Sequence, residues 1–130
     1  MPISVSKLEL VDDVVASSPD YRNLDDSFKT YKQFNVVPSV FGKDDVYTQP
    51  AEAVDAELWH IHLKTPTRYI PSNIHLRFTS DTHLVYTRGK KDRDHYLLVA
   101  ILTPDAHDQA NDDSVMMYLA SLASEWRKSH

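Results

Sequence analysis

Two runs of apolar residues with a charged turn between them dominate the hydrophobic pattern of this chain. Residues 83–86 and 96–102 are rich in β-branched and aromatic side chains, which favour strands. Gly89 and the charged residues from Arg88 to Asp94 separate the two runs, as expected of a β-hairpin with a basic tip. In the second run both alternating sets of positions are apolar. We therefore predict that this strand is buried on both faces at the centre of a sheet.

A third strand is predicted for residues 58–63, where apolar and polar positions alternate strictly. His60 and His62 share one face, so two imidazoles should point the same way. The other face should be buried in the core, and its residues are Trp59, Ile61 and Leu63.

Two helices are predicted from apolar residues that recur every three or four positions. The first begins with Ser18 as N-cap and Pro19 at the first helical position, and it should extend to about Phe34. The second follows the N-cap acceptors at 111–113 and ends near the basic residues 127–128. Its apolar stripe is Val115, Met116, Leu119, Leu122, Ala123 and Trp126.

The remaining segments have weaker patterns. Alternation in residues 3–11 predicts an edge strand or a poorly formed first turn, and residues 36–50, with their prolines, predict a loop. Residues 65–71 predict another loop, and 74–78 a short strand or an ordered crossing. Pro104 should stop the last strand before a short helical turn.

The composition is that of one folded domain with a core of its own. Of the 130 residues, 42% are hydrophobic and 25% charged, and only 2 are glycine. The absence of cysteine excludes disulfides, thiolate metal sites and a cysteine nucleophile. No apolar run is long enough for a membrane span and no signal peptide is recognisable, so we expect a cytoplasmic protein. We predict one α+β domain, residues 1–130, with an N-terminal helix, an antiparallel sheet around a central hairpin and a C-terminal helix.

Charge is distributed unevenly along the chain. The net charge is −5, yet acidic residues predominate only up to Glu57, and all 7 histidines follow that residue. A locally cationic, histidine-rich surface on an acidic body can bind a polyanion, although a short run of charges is usually only a solvated turn. The candidate contacts to phosphates are Lys64, Arg88, Lys90, Lys91 and Arg93.

Polar residues between 60 and 107 can carry chemistry. RNA cleavage without a metal needs a base for the 2′-hydroxyl, an acid for the leaving 5′-oxygen and cations for the phosphorane, which His, Tyr, Lys and Arg can supply. Alternatively, His60 and His62 could bind a metal together with His83 or Asp81, because neutral imidazole is a metal ligand. No HExxH motif accompanies them. A merely solvated polar face is the third interpretation. The candidates near the hairpin are Arg77, Asp81, His83, Tyr86 and Arg88, with His107 beyond it.

The chain contains, in this order, the short blocks Phe41-Gly42-Lys43-Asp44, His60-Ile61-His62-Leu63, His83-Leu84-Val85-Tyr86, Leu98-Val99-Ala100-Ile101-Leu102, Pro104 and His107. In their order and spacing these blocks resemble the YafO family of toxins from type II toxin–antitoxin systems. The resemblance extends from about Ser27 to the C-terminal end. It implies a small bacterial toxin that cleaves messenger RNA on the translating ribosome, stops protein synthesis and is neutralised by a cognate antitoxin. It also implies a fold related to the RelE-type toxins.

The resemblance also implies a catalytic set that works without a cofactor. On this hypothesis His83 or His60 is the base toward the 2′-hydroxyl, Arg77 stabilises the phosphorane, and His107 or Tyr86 protonates the leaving oxygen. The cationic strip would face RNA, and the net acidity suggests that affinity comes largely from the ribosome. The full catalytic set is His60, His62, Arg77, His83, Tyr86 and His107.

Two other functions stay open at this point. One is a non-enzymatic toxin or adaptor that inhibits translation by binding and leaves the messenger intact. The other is a metal-dependent hydrolase built on His60, His62 and His83, which a chelator would inactivate. The antitoxin implied by the family resemblance is expected at an apolar groove or, by strand addition, at an open edge of the sheet.

Overall fold

A computed structural model describes residues 2–18, 21–64, 82–103 and 105–130, and the strands within these ranges form one five-stranded sheet. The sheet order is β1-β5-β4-β3-β2. Strand β1 pairs parallel with β5, whereas the other neighbours are antiparallel, so the predicted antiparallel sheet is in fact mixed. The strands are β1 (Ser4–Lys7), β2 (Phe41–Val46), β3 (Trp59–Leu63), β4 (His83–Arg88) and β5 (His95–Leu102).

Helices lie on both faces of this sheet. One face packs against α1 and α2, and the other packs against α3, α4 and α5. The α+β class and the helices at both ends of the chain agree with the prediction. No helix within the described ranges is long and apolar enough to cross a membrane. The helices are α1 (Glu9–Ser17), α2 (Leu24–Phe34), α3 (Ala51–Asp55), α4 (Ala106–Ala110) and α5 (Asp113–Arg127).

The alternation of side chains along β4 divides the apolar core between the two faces. Leu84 and Tyr86 pack with Phe28 of α2, whereas Val85 belongs to the core that contains Met116 of α5. Both sets of side chains in β5 are buried, as predicted from its continuous apolar run. The central strand is β4, however, and β5 lies beside it.

The strongest sequence patterns are confirmed. The hairpin β4–β5, the strand β3 and the short helix α4 form where they are predicted. Helix α5 begins after Asp112, whose side chain accepts a hydrogen bond from the backbone N–H of Ser114 at 2.9 Å. The edge strand predicted within residues 3–11 is β1.

The first predicted helix ends at Phe34 as expected, but its start was predicted incorrectly. Instead of one helix from Ser18, the chain forms α1 up to Ser17 and begins α2 at Leu24. Asn23, which precedes α2, has a left-handed backbone with φ of 61°, so a helix cannot continue through it. Helix α1 was missed because the alternation before it obscured the helical spacing of its own apolar residues. The proposed first helical residue, Pro19, lies outside the described residues.

Two further predictions were wrong. The loop predicted for residues 36–50 contains β2, whose polar sequence Lys43-Asp44-Asp45 hides an edge strand. Trp59 was assigned to the core but is 38% exposed. The loop at 65–71 and the strand at 74–78 lie outside the described residues.

Candidate functional site

The sheet divides the predicted catalytic residues between its two faces. His83 and Tyr86 lie three positions apart on β4, so their side chains point in opposite directions. Tyr86 packs in the core beneath α2, whereas His83 contacts Tyr47, which belongs to the core that includes α5. The hypothesis in which a base at His83 and an acid at Tyr86 act on one phosphate therefore conflicts with the geometry.

The first group, which we call the histidine cluster, consists of His60, His62 and His83. Candidate ligand atoms of these side chains all lie within 4.8 Å of one another. The ring of His83 stacks on His60 and meets His62 edge to face, with centroids 4.5 Å apart in each pair. As predicted, β3 presents its two imidazoles on one side, and β4 adds the third because His83 pairs with His62 across the sheet.

Tyr47 completes the surroundings of this cluster. Its ring stacks on His60 with centroids 4.1 Å apart, and its hydroxyl lies 3.0 Å from Nδ1 of His83. Burial raises the pKa of Tyr47 above its usual range, so the phenol keeps its proton at neutral pH. Tyr47 therefore contacts the cluster as a neutral phenol, with its ring packed on His60 and its hydroxyl hydrogen-bonded to His83.

The environment of His60 is unusual in two respects. Burial and the neighbouring His62 lower the pKa of His60 to about 4, so its imidazole is neutral at physiological pH. Its Nδ1 atom is buried and has no hydrogen-bond partner among the described residues. A buried polar atom of this kind usually indicates a chemical role or a bound water or ion.

The second group lines a cleft on the opposite face of the sheet, with a volume of about 180 Å³. We call it the tyrosine cleft because Tyr86 and Tyr96 lie in it. It also contains Trp59, which is partly exposed and pairs with Tyr86 across the sheet. The lining residues are Lys32, Glu57, Trp59, Tyr86, Arg88, Arg93 and Tyr96.

A network centred on Asp44 holds the tyrosine side of the cleft in place. Tyr86 donates a hydrogen bond to the carboxylate of Asp44 at 2.7 Å, and Tyr31 donates another at 2.9 Å. Lys32 donates to the same carboxylate at 3.1 Å and to the hydroxyl of Tyr86 at 2.9 Å. Burial and the negative charge of Asp44 raise the pKa of Tyr86 far above its usual range. Tyr86 therefore enters any reaction as a protonated phenol.

The opposite wall of the cleft is built on Glu57. Its carboxylate accepts two hydrogen bonds from Arg93, at 2.9 and 3.0 Å, and another from Arg127. These contacts, that with Arg93 above all, lower the pKa of Glu57, so the carboxylate is ionised at neutral pH. Arg88 lies nearby, with its guanidinium 5.0 Å from the ring centre of Tyr96. The cleft thus combines the carboxylate and guanidinium groups of this wall with the phenol of Tyr86 and the ammonium group of Lys32.

The other predicted site residues that the structure describes belong to neither group. Lys64 is buried, which lowers its pKa and does not favour contact with a phosphate. Lys90 and Lys91 are exposed at the hairpin tip, and His107 is exposed on α4. Outside the described residues lie Arg77 and Asp81.

Sequence reasoning missed three residues of the cleft network: Lys32, Asp44 and Glu57. Lys32 lies in the first predicted helix, and Asp44 lies in the segment predicted to be a loop. Glu57 belongs to no recognisable motif, and its arginine partners lie 36 and 70 positions further along the chain. Only Asp44 had a usable signal, because it ends a sequence block that carries the family resemblance.

Comparison with known proteins identifies the class to which these features belong. The family described as "Toxin YafO, type II toxin-antitoxin system" matches residues 29–128, which include both groups. The mRNA interferase toxin YafO of Escherichia coli (strain K12) is 33% identical over 106 residues, which cover 77% of this chain and 80% of the relative. No solved structure matches significantly.

The protein is therefore a toxin of the type II toxin–antitoxin class, whose members have an antitoxin as partner. Within that class the chain belongs to the YafO family, as its sequence blocks predict. The relation to RelE-type toxins stays a prediction.

Proposed function

We propose that this toxin is an mRNA interferase, an endoribonuclease that cleaves messenger RNA on translating ribosomes in the cytoplasm and thereby stops protein synthesis. Membership of the YafO family and the identity with a relative named an mRNA interferase support the activity. A cognate antitoxin restrains it. The net charge of −5 is unfavourable for binding free RNA and supports recruitment through the ribosome.

We further propose the tyrosine cleft as the catalytic site. The observation that carries this proposal is that a single cleft contains the carboxylate of Glu57, the guanidinium groups of Arg88 and Arg93, and the adjacent side chains of Tyr86 and Lys32. Cleavage of RNA without a metal requires a base, an acid and cations at the phosphorane. The cleft contains a candidate for each of these roles.

Glu57 is the proposed base that removes the proton from the 2′-hydroxyl. Its carboxylate is held by Arg93 before substrate binds, in a pair whose side chains are 45% and 37% exposed. Because a half-exposed ion pair contributes little to stability, a substrate phosphate can draw Arg93 away at a small cost in free energy. That exchange places a cation on the phosphate and uncovers Oε1 of the carboxylate in the same step, while Arg127 continues to hold Oε2.

Tyr86 is the proposed acid that protonates the leaving 5′-oxygen. In the free protein its O–H is donated to Asp44, so the proton must turn toward the leaving oxygen when substrate binds. The ammonium group of Lys32, 2.9 Å from the hydroxyl, stabilises the phenolate left after proton transfer. The 2′-oxygen attacks the phosphorus, the bond to the 5′-oxygen breaks, and the products are a 2′,3′-cyclic phosphate and a 5′-hydroxyl. Trp59 offers an exposed ring on which a base of the messenger can stack.

Primer extension on a defined messenger in a purified translation system tests this proposal. The wild type should produce cuts that require ribosomes, and Glu57→Gln should reduce their rate by about 10²–10⁴-fold. Glu125→Gln is the matched control, because Glu125 is exposed on α5 and pairs only with Lys128 among the described residues. Full cleavage by Glu57→Gln would remove the base assignment. Intact messenger with blocked translation would instead identify a toxin that acts by binding.

A further inference from the structure

We propose that His60, His62 and His83 form a binding site for a divalent transition metal ion of the zinc type, on the face of the sheet opposite the tyrosine cleft. The proposed cleavage reaction does not use these residues. Among the described residues they are the one group of three histidine or acidic side chains close enough to share an ion.

The donor atoms suit this class of metal. Three neutral imidazoles are an established ligand set for Zn²⁺, with water as the fourth ligand. A tetrahedral centre with Zn–N bonds of about 2.0–2.1 Å places its ligand atoms about 3.4 Å apart. The candidate atoms here lie within 4.8 Å of one another, so modest side-chain rotations would bring them to that separation.

Tyr47 orients one of the ligands. Its hydroxyl lies 3.0 Å from Nδ1 of His83, which makes Nε2 of His83 the nitrogen that would coordinate the ion. Metal-binding histidines are commonly fixed in this way, through a hydrogen bond to the second ring nitrogen. The stacking of Tyr47 on His60 restrains a second ligand at the same time.

The unpaired nitrogen of His60 is an independent indication of a ligand. Nδ1 of His60 is buried and lacks a hydrogen-bond partner among the described residues. His62 and His83, the two histidines beside it, are also buried. An unpaired buried nitrogen is unfavourable, and an ion shared with His62 and His83 would satisfy it.

The ion would join two strands. His60 and His62 lie on β3, and His83 lies on β4 directly opposite His62. An ion that binds the folded chain but not the unfolded chain stabilises the folded state by mass action. The metal should therefore raise the unfolding temperature. We therefore expect an effect on stability that is separate from cleavage in the tyrosine cleft.

A zinc titration of the untagged full chain tests the site. The protein is first stripped of metal with a chelator, and the chelator is then removed. Calorimetry should show saturable binding of a single Zn²⁺ per chain, together with a rise in unfolding temperature. With Co²⁺ as the probe, the visible spectrum should be that of a tetrahedral centre. His62→Gln and His83→Gln should each weaken binding by at least about 100-fold, as expected from losing one of three protein ligands.

Two further variants make the test specific. His95→Gln should bind Zn²⁺ like the wild type, since His95 begins β5 and contacts Ser6 and Trp126. Tyr47→Phe keeps the stacked ring but removes the hydroxyl, and it should weaken binding by about 10–100-fold. Circular dichroism of each metal-free variant reports whether it is folded.

Three results would overturn the proposal. The first is no saturable binding by the wild type, and the second is undiminished binding by folded His62→Gln and His83→Gln. The third is an equal loss of binding in His95→Gln, which would indicate a general effect of removing histidines.

Discussion

The two faces of this sheet solve the problem of burying polar groups in different ways. In the histidine cluster, imidazoles and a phenol stack on one another, and one nitrogen stays without a partner among the described residues. In the tyrosine cleft, charged groups are paired: Asp44 with Lys32, and Glu57 with Arg93 and Arg127. Buried charges need a counter-charge, whereas a buried neutral imidazole needs only a hydrogen-bond partner or a bound ion.

The comparison shows how strand geometry separates residues that are neighbours in sequence. His83 and Tyr86 come from one short sequence block, yet the pleat of β4 directs them to different faces. The same holds on β3 for His60 and Trp59. Candidate catalytic residues on a strand can therefore share a site only when their positions have the same parity, unless a bulge intervenes.

The largest expected difference between the two faces concerns Tyr86. Tyr86→Phe keeps the ring in the core but removes the proposed acid, so the rate of ribosome-dependent cleavage should fall by about 10²–10⁴-fold. Tyr118→Phe is the same chemical change at an exposed position on α5 and should have no effect. Single-turnover cleavage of a defined messenger measures both, and equal rates for both variants would exclude the acid role.

Arg93 should have the next largest effect. Arg93→Ala removes the proposed cation at the phosphorane, and cleavage should slow by about 10²–10³-fold. Lys128→Ala removes an exposed cation from the end of α5 and serves as the control. Cleavage rates at saturating ribosome concentration separate a catalytic effect from weaker recruitment. Similar losses in both variants would indicate only a general electrostatic contribution.

The charge network in the cleft should contribute measurably to stability. Asp44→Asn leaves the ammonium group of Lys32 without its counter-charge, and we expect a loss of about 2 kcal/mol in the free energy of unfolding. Asp25→Asn is the matched change in an exposed pair with Lys7 and should cost less than about 0.5 kcal/mol. Urea denaturation distinguishes the two, and equal losses would mean that the cleft network is no stronger than a surface pair.

The smallest predicted effect is the pH dependence that Glu57 introduces. Its pKa is lowered below the ordinary value of 4.5, so the folded state binds its proton less readily than the unfolded state. The resulting stabilisation is present above pH 4.5 and is lost as the pH falls through the lowered pKa. Because the group is partly exposed, we expect less than about 1 kcal/mol.

Comparison of wild type with Glu57→Gln in urea denaturation at several pH values measures this contribution. The difference in stability between the two proteins should shrink as the pH falls below 4.5. A difference that stays constant over that range would show that the arginine contacts do not favour the ionised form.

Strong sequence periodicity predicted the elements that form the frame of both sites. β3, the hairpin β4–β5 and α5 are each specified by a continuous pattern of apolar positions. β2 was not predictable in this way, because an edge strand that carries Lys43, Asp44 and Asp45 has a polar sequence. The break before α2 depends on the local conformation of Asn23, which no periodicity records.

The histidine cluster was more predictable than the cleft for the same reason. Two of its three histidines follow the alternation of one strand, and the third faces them from the next strand. The cleft instead depends on contacts between distant segments, such as Glu57 with Arg127 and Lys32 with Tyr86. Such contacts follow from the packing of helices on the sheet and leave no local pattern.

The most direct test of the division between the two faces is to compare single-turnover cleavage by Tyr86→Phe and His83→Gln on the same ribosome-bound messenger. Both residues lie on β4, so general damage to that strand would affect both variants. We predict that Tyr86→Phe loses at least about 100-fold in rate, while folded His83→Gln stays close to the wild type. Loss of cleavage in folded His83→Gln with full activity in Tyr86→Phe would contradict this account and place the chemistry in the histidine cluster.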